Sequence, residues 1–209
     1  MTTPGLMDRL ILGDVGYGKT EIALRATIRA VECGHVVFVM APTTVLAGQH
    51  YISFVRRFSP LGIRVELLSR FRTKSEQKKI IETLACDGVD VLVGTHRLIS
   101  GDVYTENLGL FVVDEEHRFG VKQKDAIKGC RDGVDVLSMS ATPIPRSMNL
   151  ALSGIYSISL LQTPPLMRLP IITRVDYFRD ELLRDAISFE VDRGGQVYFV
   201  HNDIQSIEH

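Results

Sequence analysis

Cysteine is scarce in this 209-residue chain, and the three present, Cys33, Cys86 and Cys130, are scattered and odd in number. None has C-x-x-C spacing or a nearby ligand partner, which argues against both a disulfide framework and a zinc site and fits a reducing compartment. Net charge of one sign is also missing: 24 Lys and Arg face 25 Asp and Glu, leaving −1. Bulk electrostatics therefore predict no polyanionic partner, although a local stripe of Lys and Arg would escape such a sum. No apolar run approaches membrane-spanning length, and Met1 to Leu10 lacks the basic start of a secretory leader. A soluble, cytoplasmic protein is expected. Internal repeats and low-complexity segments are absent as well. What is present is ordinary for a globular α/β protein, with 45% hydrophobic and 23% charged residues. The length suits one domain, or one domain with part of a second, and is enough to bury a core.

Short apolar runs alternate with helical stretches. Candidate strands are Arg9–Gly13, Val36–Met40, Ile63–Leu68, Val89–Val93, Leu110–Val113 and Val136–Met139. Most are apolar at nearly every position, as strands covered on both faces should be. Between them, Lys19–Val31 reads as a helix ended by Gly34, and Thr73 with Glu76 forms a capping box before the stripe Ile80, Ile81, Leu84. Strand–helix alternation of this kind predicts a parallel sheet with right-handed crossovers. After about residue 160 the pattern changes. "QTPPLMRLP", residues 162–170, holds three prolines in nine residues and predicts an extended linker. A strand over Ile171–Tyr177, a helix over Asp180–Asp192 and a strand over Gln196–Val200 are expected beyond it.

Two motifs carry the chemistry. Gly13-Asp14-Val15-Gly16-Tyr17-Gly18-Lys19-Thr20 satisfies G-x-x-x-x-G-K-[ST], with an apolar strand before it and a helical pattern after it. Glycines let the backbone N–H groups turn inward around phosphate oxygens, and the helix N-terminus adds partial positive charge. Lys19 would reach the β- and γ-phosphates of ATP, and the Thr20 hydroxyl would ligate Mg²⁺. A glycine-rich turn with an incidental lysine would need neither flank. The second motif is Asp114-Glu115-Glu116-His117, directly after the apolar run Leu110–Val113. A buried strand ending in acids sets carboxylates at the carboxyl edge of the sheet, near the phosphate loop. There Asp114 would hold Mg²⁺ through water, and Glu115 would orient and deprotonate an attacking water. His117 would link nucleotide state to the next motif. Alone, such a box would equally suit a solvated acidic turn; the phosphate loop upstream makes it a hydrolase pair.

Four stretches, "GDVGYGKTE", "APTTVLAGQH" (Ala41–His50), "DEEHRFG" (Asp114–Gly120) and "SATPIPR" (Ser140–Arg146), stand in the order of superfamily 2 helicase motifs I, Ia, II and III. "VGTHRLI", Val93–Ile99, falls where motif Ib belongs. Within that superfamily the chain resembles the bacterial transcription-repair coupling factor (Mfd) family, on "SRFRT", "VGTHRLIS", "VDEEHRFGVKQK" and "TPPLMRLPI". The resemblance covers essentially the whole chain.

It implies a RecA-like P-loop NTPase lobe over residues 1–161, a linker over 162–170, and the start of a second such lobe over 171–209. It further implies an ATP- and Mg²⁺-dependent double-stranded DNA translocase that displaces stalled RNA polymerase and recruits excision-repair proteins through modules outside this chain. Thr43 and Thr44 at one strand-to-helix junction, and Thr95, His96 and Arg97 at another, would contact DNA backbone phosphates without regard to sequence. Without the family context each junction reads equally well as a helix cap. Arg70 and Arg72 open a basic patch with Lys74, Lys78 and Lys79, which reads equally as a solvated helix face. Glu116, Ser140, Ala141, Thr142 and Arg146 would couple the nucleotide site to DNA and to the second lobe. The family's adenine-recognising segment would lie before residue 1 and its arginine finger after residue 209, so a fragment is expected. The alternatives are a RecG- or PriA-like helicase, and a module that holds nucleotide and DNA without turnover. A transporter ATPase has no use for "SATPIPR", and a small-molecule kinase none for the acidic box.

Overall fold

The computed structural model describes residues 5–115, 118–119, 129, 133–141, 157–165 and 171–202. The chain divides into two compact units, Met1–Arg168 and Leu169–His209.

The first unit is built on a seven-stranded sheet. In chain order its elements are β1 (Asp8–Gly13), α1 (Lys19–Glu32), β2 (Val36–Met40), α2 (Thr44–Phe58), β3 (Val65–Leu68), α3 (Lys74–Ala85), β4 (Val91–Gly94), β5 (Leu108–Asp114), β6 (Asp135–Ser140) and β7 (Ser157–Leu161). The strand order is β3-β4-β2-β5-β6-β1-β7, and every pairing is parallel. β2 and β4 are buried at every position, as sheets covered on both faces require. Two apolar layers follow. One holds Phe38, Met40, Leu68, Leu84, Leu92 and Phe111; the other holds Val37, Val39, Phe54, Phe58, Val112 and Met139. Neighbouring residues of β2 thus serve opposite faces, the period-two signature of a strand.

Local chemistry sets the helix ends. α1 stops where Gly34 takes φ 83° and its N–H bonds back to Val31 O at 2.9 Å. α3 begins with both halves of the expected capping box, Glu76 N to Thr73 Oγ1 at 3.2 Å and Thr73 N to Glu76 Oε2 at 2.7 Å.

Two expectations need correction. β7 escaped the sequence pattern because it is a half-exposed edge strand with no continuous apolar run. In the second unit, α4 (Asp180–Asp192) forms as expected, but neither 171–177 nor 196–200 is a strand. A helix satisfies its own backbone groups, whereas a strand needs a partner to bond with. Among the described residues of that unit, no strand is present. Ile171, Ile172, Tyr177, Tyr198 and Phe199 stay exposed there.

Candidate functional site

The carboxyl ends of the strands share one edge, and the candidate residues sort along it by strand order. β5, β6 and β1 present Asp114–Glu115, Ser140–Ala141 and the loop Gly13–Thr20. β3, β4 and β2 present Ser69–Arg72, Thr95–Arg97 and Thr43–Thr44. Register fixes the levels within the first group: Asp114 lies opposite Met139, and Leu12 opposite Ser140. Only β6 separates β5 from β1, so the acids and the loop stand two strand spacings apart, roughly 10 Å. A phosphate chain with a metal ion would be long enough to span that gap.

The loop is shaped for an anion. Gly16 and Gly18 have φ of 80° and 85°, left-handed values that strain any side-chain-bearing residue. Asp14 Oδ1 accepts from Val15 N at 2.7 Å, and Tyr17 N donates to Asp14 O at 3.2 Å, which closes the turn. Gly18 caps α1 without a side-chain hydrogen bond, so the first-turn N–H groups lack a side-chain acceptor at their cap. Lys19 Nζ bridges Gly13 O at 2.7 Å and Asp14 O at 3.0 Å, holding its ammonium over the loop. These donors and this charge match an oligophosphate, so the loop fits ATP. Gly13 has a separate role: a Cβ there would lie 2.8 Å from Leu161 Cβ, so β7 packs directly on the root of the loop.

For Mg²⁺ the candidate donors would be a hydroxyl and a carboxylate, Thr20 and Asp114. Among the described residues, no group of three or more His, Cys, Asp and Glu could enclose a metal. Magnesium commonly sits on one or two protein ligands plus substrate phosphates, so this sparse set fits.

Glu115 has φ 50°, a left-handed value at a non-glycine residue. Its N–H donates to Met139 O and its carbonyl accepts from Arg118 N, both at 2.9 Å. The strand therefore ends in a forced bend that turns Glu115 out of the sheet.

His50 was not singled out by motif. It lies on α2, only 8% exposed, with Nε2 2.7 Å from Asp114 Oδ2. Its ring meets Phe54 edge-to-face at 6.3 Å. A signal existed: Ala47, His50, Phe54 and Phe58 form the buried stripe of α2, and a histidine on an apolar stripe calls for a buried partner. Which partner was not readable.

The second group is more mixed. Thr43 is exposed, and its Oγ1 accepts from Leu46 N at 3.2 Å as the N-cap of α2. Thr44 is half-buried and His96 exposed, while Thr95 is buried. Arg97 is committed inside the fold: its two terminal nitrogens donate to the two carboxylate oxygens of Asp102, each at 2.6 Å, and Nε donates to Gln77 Oε1 at 3.3 Å. That fork raises the Arg97 pKa and holds the Asp102 carboxyl below the ordinary range. Arg70 is exposed and stacks over the exposed Phe71 ring at 5.9 Å. Arg72 pairs with Glu76 at 3.3 Å, and Lys78 with Glu82 at 3.8 Å, so part of the basic patch is locally neutralised. Ser140 is buried and Ala141 half-buried at the end of β6. Glu116, His117, Thr142 and Arg146 lie outside the described residues.

A parallel sheet with a phosphate loop after β1 and paired acids after β5 defines a RecA-like P-loop fold. Residues 2–150 match the DEAD/DEAH box helicase family, and the chain belongs to that family. Its similarity to the transcription-repair-coupling factors runs its full length. It is 53% identical to that of Haemophilus influenzae and 48% to that of Escherichia coli, each over 100% of this chain and 18% of the relative. A chloroplastic ATP-dependent DNA helicase of Arabidopsis thaliana is 52% identical over 97% of this chain and 25% of its own length. The chain thus spans about a fifth of these bacterial relatives. Among solved structures, RecG bound to a three-way DNA junction matches with a TM-score of 0.79 and 40% identity, over 98% of this chain and 27% of that one. No helix among the described residues is long and apolar enough to cross a membrane.

Proposed function

We propose that this chain is the nucleotide-binding part of an ATP-driven double-stranded DNA translocase of the transcription-repair coupling type, acting in the bacterial cytoplasm. Residues 1–161 form its first RecA-like lobe, 162–170 a linker, and 171–209 the beginning of a second lobe. The observation that carries the reading is the phosphate loop and the Asp114–Glu115 pair at one sheet edge, on strands separated only by β6. Identities of 48–53% to the coupling factors, against 40% to RecG, favour the former over a RecG-like helicase. Displacement of stalled RNA polymerase and recruitment of excision-repair proteins belong to this proposal through the relatives' name, as functions of the whole protein. A module that holds nucleotide and DNA without turnover is the rival that a hydrolysis assay separates.

Residues Gly13–Thr20 bind the β- and γ-phosphates, with Lys19 moving from the Gly13 and Asp14 carbonyls onto the nucleotide. Thr20 and Asp114 hold Mg²⁺, which when bound neutralises phosphate charge. Glu115 orients a water and takes its proton as the water attacks. His117, Glu116, Ser140, Ala141, Thr142 and Arg146 relay the nucleotide's state to DNA and the second lobe.

Lys19→Ala removes a charged donor worth about 1.5–3 kcal/mol, so Mg·ADP affinity should fall about 10- to 150-fold. Titration calorimetry giving equal affinities would remove the loop assignment.

Thr43, Thr44, Thr95, His96, Arg70 and Arg72 form the DNA track, and Arg97 acts within it by bracing the turn at 96–99 through Asp102. Duplex binding should ignore base sequence and weaken linearly in log–log salt plots, with a slope of about −0.9 per phosphate contacted. Fluorescence anisotropy on equal-length duplexes tests this; strong sequence preference or a flat salt response would contradict it.

A further inference from the structure

The Asp114 carboxylate does not stand alone at the end of β5. Its Oδ2 lies 2.7 Å from Nε2 of His50, a residue 64 positions earlier and on a different element. Both side chains are largely shielded, at 9% and 14% exposure, so the contact is not a passing surface encounter. His50 is itself held. Phe54 packs edge-to-face against its ring at 6.3 Å and 83°, and Phe58 packs in turn on Phe54 at 5.3 Å and 89°. Phe54 and Phe58 are fully buried. The imidazole is therefore fixed by the core, and the carboxylate is fixed by the imidazole.

A carboxylate with one oxygen engaged has its plane and rotamer set. Asp114 Oδ1 has no hydrogen bond among the described residues. We infer that His50 is a positioning residue for the metal centre: it donates Nε2–H to Asp114 Oδ2 and so presents Oδ1 to the hydrated magnesium ion. Groups that orient a metal-binding side chain in this way typically change metal affinity or activity about 10- to 100-fold when removed. The inference rests on the proposed role of Asp114 in holding Mg²⁺. It also gives α2, which starts at the Thr43 cap, a rigid tie to the nucleotide site.

The test uses the full 209-residue chain and follows how Mg²⁺ tightens ADP binding by calorimetry, with metal-free ADP binding in EDTA alongside. His50→Leu keeps apolar bulk and loses the donor; His50→Gln keeps an N–H donor at similar reach. The Leu variant should need about 10- to 100-fold more Mg²⁺ for the same tightening while binding metal-free ADP like the wild type. The Gln variant should keep the wild-type Mg²⁺ dependence. In the unmutated protein, nitrogen NMR should show a proton on His50 Nε2 and a shift of that resonance when Mg²⁺ joins bound ADP, a readout independent of whether any variant folds. Identical Mg²⁺ dependence in the Leu variant and wild type, equal impairment in both variants, or an unprotonated Nε2 overturns the inference and leaves Asp114's role standing. A wild-type ADP affinity that ignores Mg²⁺ overturns both.

Discussion

Replacing Glu115 with Gln should reduce ATP turnover by about 10²- to 10⁴-fold, the usual contribution of a positioned general base. At 1.36 kcal/mol per tenfold, that is roughly 3 to 5 kcal/mol of barrier. The assay belongs in the ATP-hydrolysing protein that carries this lobe, with duplex DNA present and absent. Gln matches Glu in shape and accepts hydrogen bonds, yet it takes no proton from water at neutral pH. Nucleotide affinity should survive, because the proposed phosphate contacts lie on the separate loop at Gly13–Thr20. Geometry protects the comparison from misfolding. The backbone at Glu115 is set by its N–H bond to Met139 O and by the bond from Arg118 N, both of which the substitution leaves in place. A left-handed φ of 50° at this residue costs folding energy, and Gln bears the same cost. Turnover equal to wild type would remove Glu115 from the reaction and return the acidic box to a solvated turn.

The largest stability effect should come from Phe54→Ala, at about 3–5 kcal/mol. Phe54 is fully buried between His50 and Phe58, on the stripe that seats α2 against the sheet. Truncation loses the transfer free energy of a phenyl ring and leaves a void flanked by two aromatic rings fixed from other directions. Against a total stability of about 5–15 kcal/mol for a domain, this loss is severe. Urea titrations with unchanged slope should show a lower midpoint. A loss under about 1 kcal/mol would mean that α2 settles into the gap and that its seat is not rigid. The experiment bears on function too, since the same helix holds His50 against Asp114.

The local features of this protein were readable from its order of residues. Gly16 and Gly18 announce left-handed backbone because only glycine takes it without strain, and the phosphate loop follows from that spacing. The Thr73–Glu76 box involves residues three apart, so its two hydrogen bonds needed no knowledge of the fold. Apolar runs at 36–40 and 110–113 declared strands buried on both faces, and alternation with helices declared a parallel sheet. Each of these signals is complete within a few residues.

Tertiary structure decided everything that depends on which strand lies beside which. The order β3-β4-β2-β5-β6-β1-β7 separates the candidate nucleotide residues from the candidate DNA residues along one edge, and no periodicity encodes it. His50 reaches Asp114 across the sheet edge because α2 follows β2, and β5 is a neighbour of β2 in the sheet. Arg97, read as a free phosphate contact, is claimed by Asp102 five residues on, because the short turn at 96–99 folds the two together. Strand-like composition at 171–177 and 196–200 did not suffice, since a strand is a pairing and not a property of one segment. β7 shows the converse: a half-polar run becomes a strand because β1 offers it an open edge. Sequence thus determined the chemistry of each short segment, while partner choice in the sheet, set by long-range packing, determined which chemistries meet.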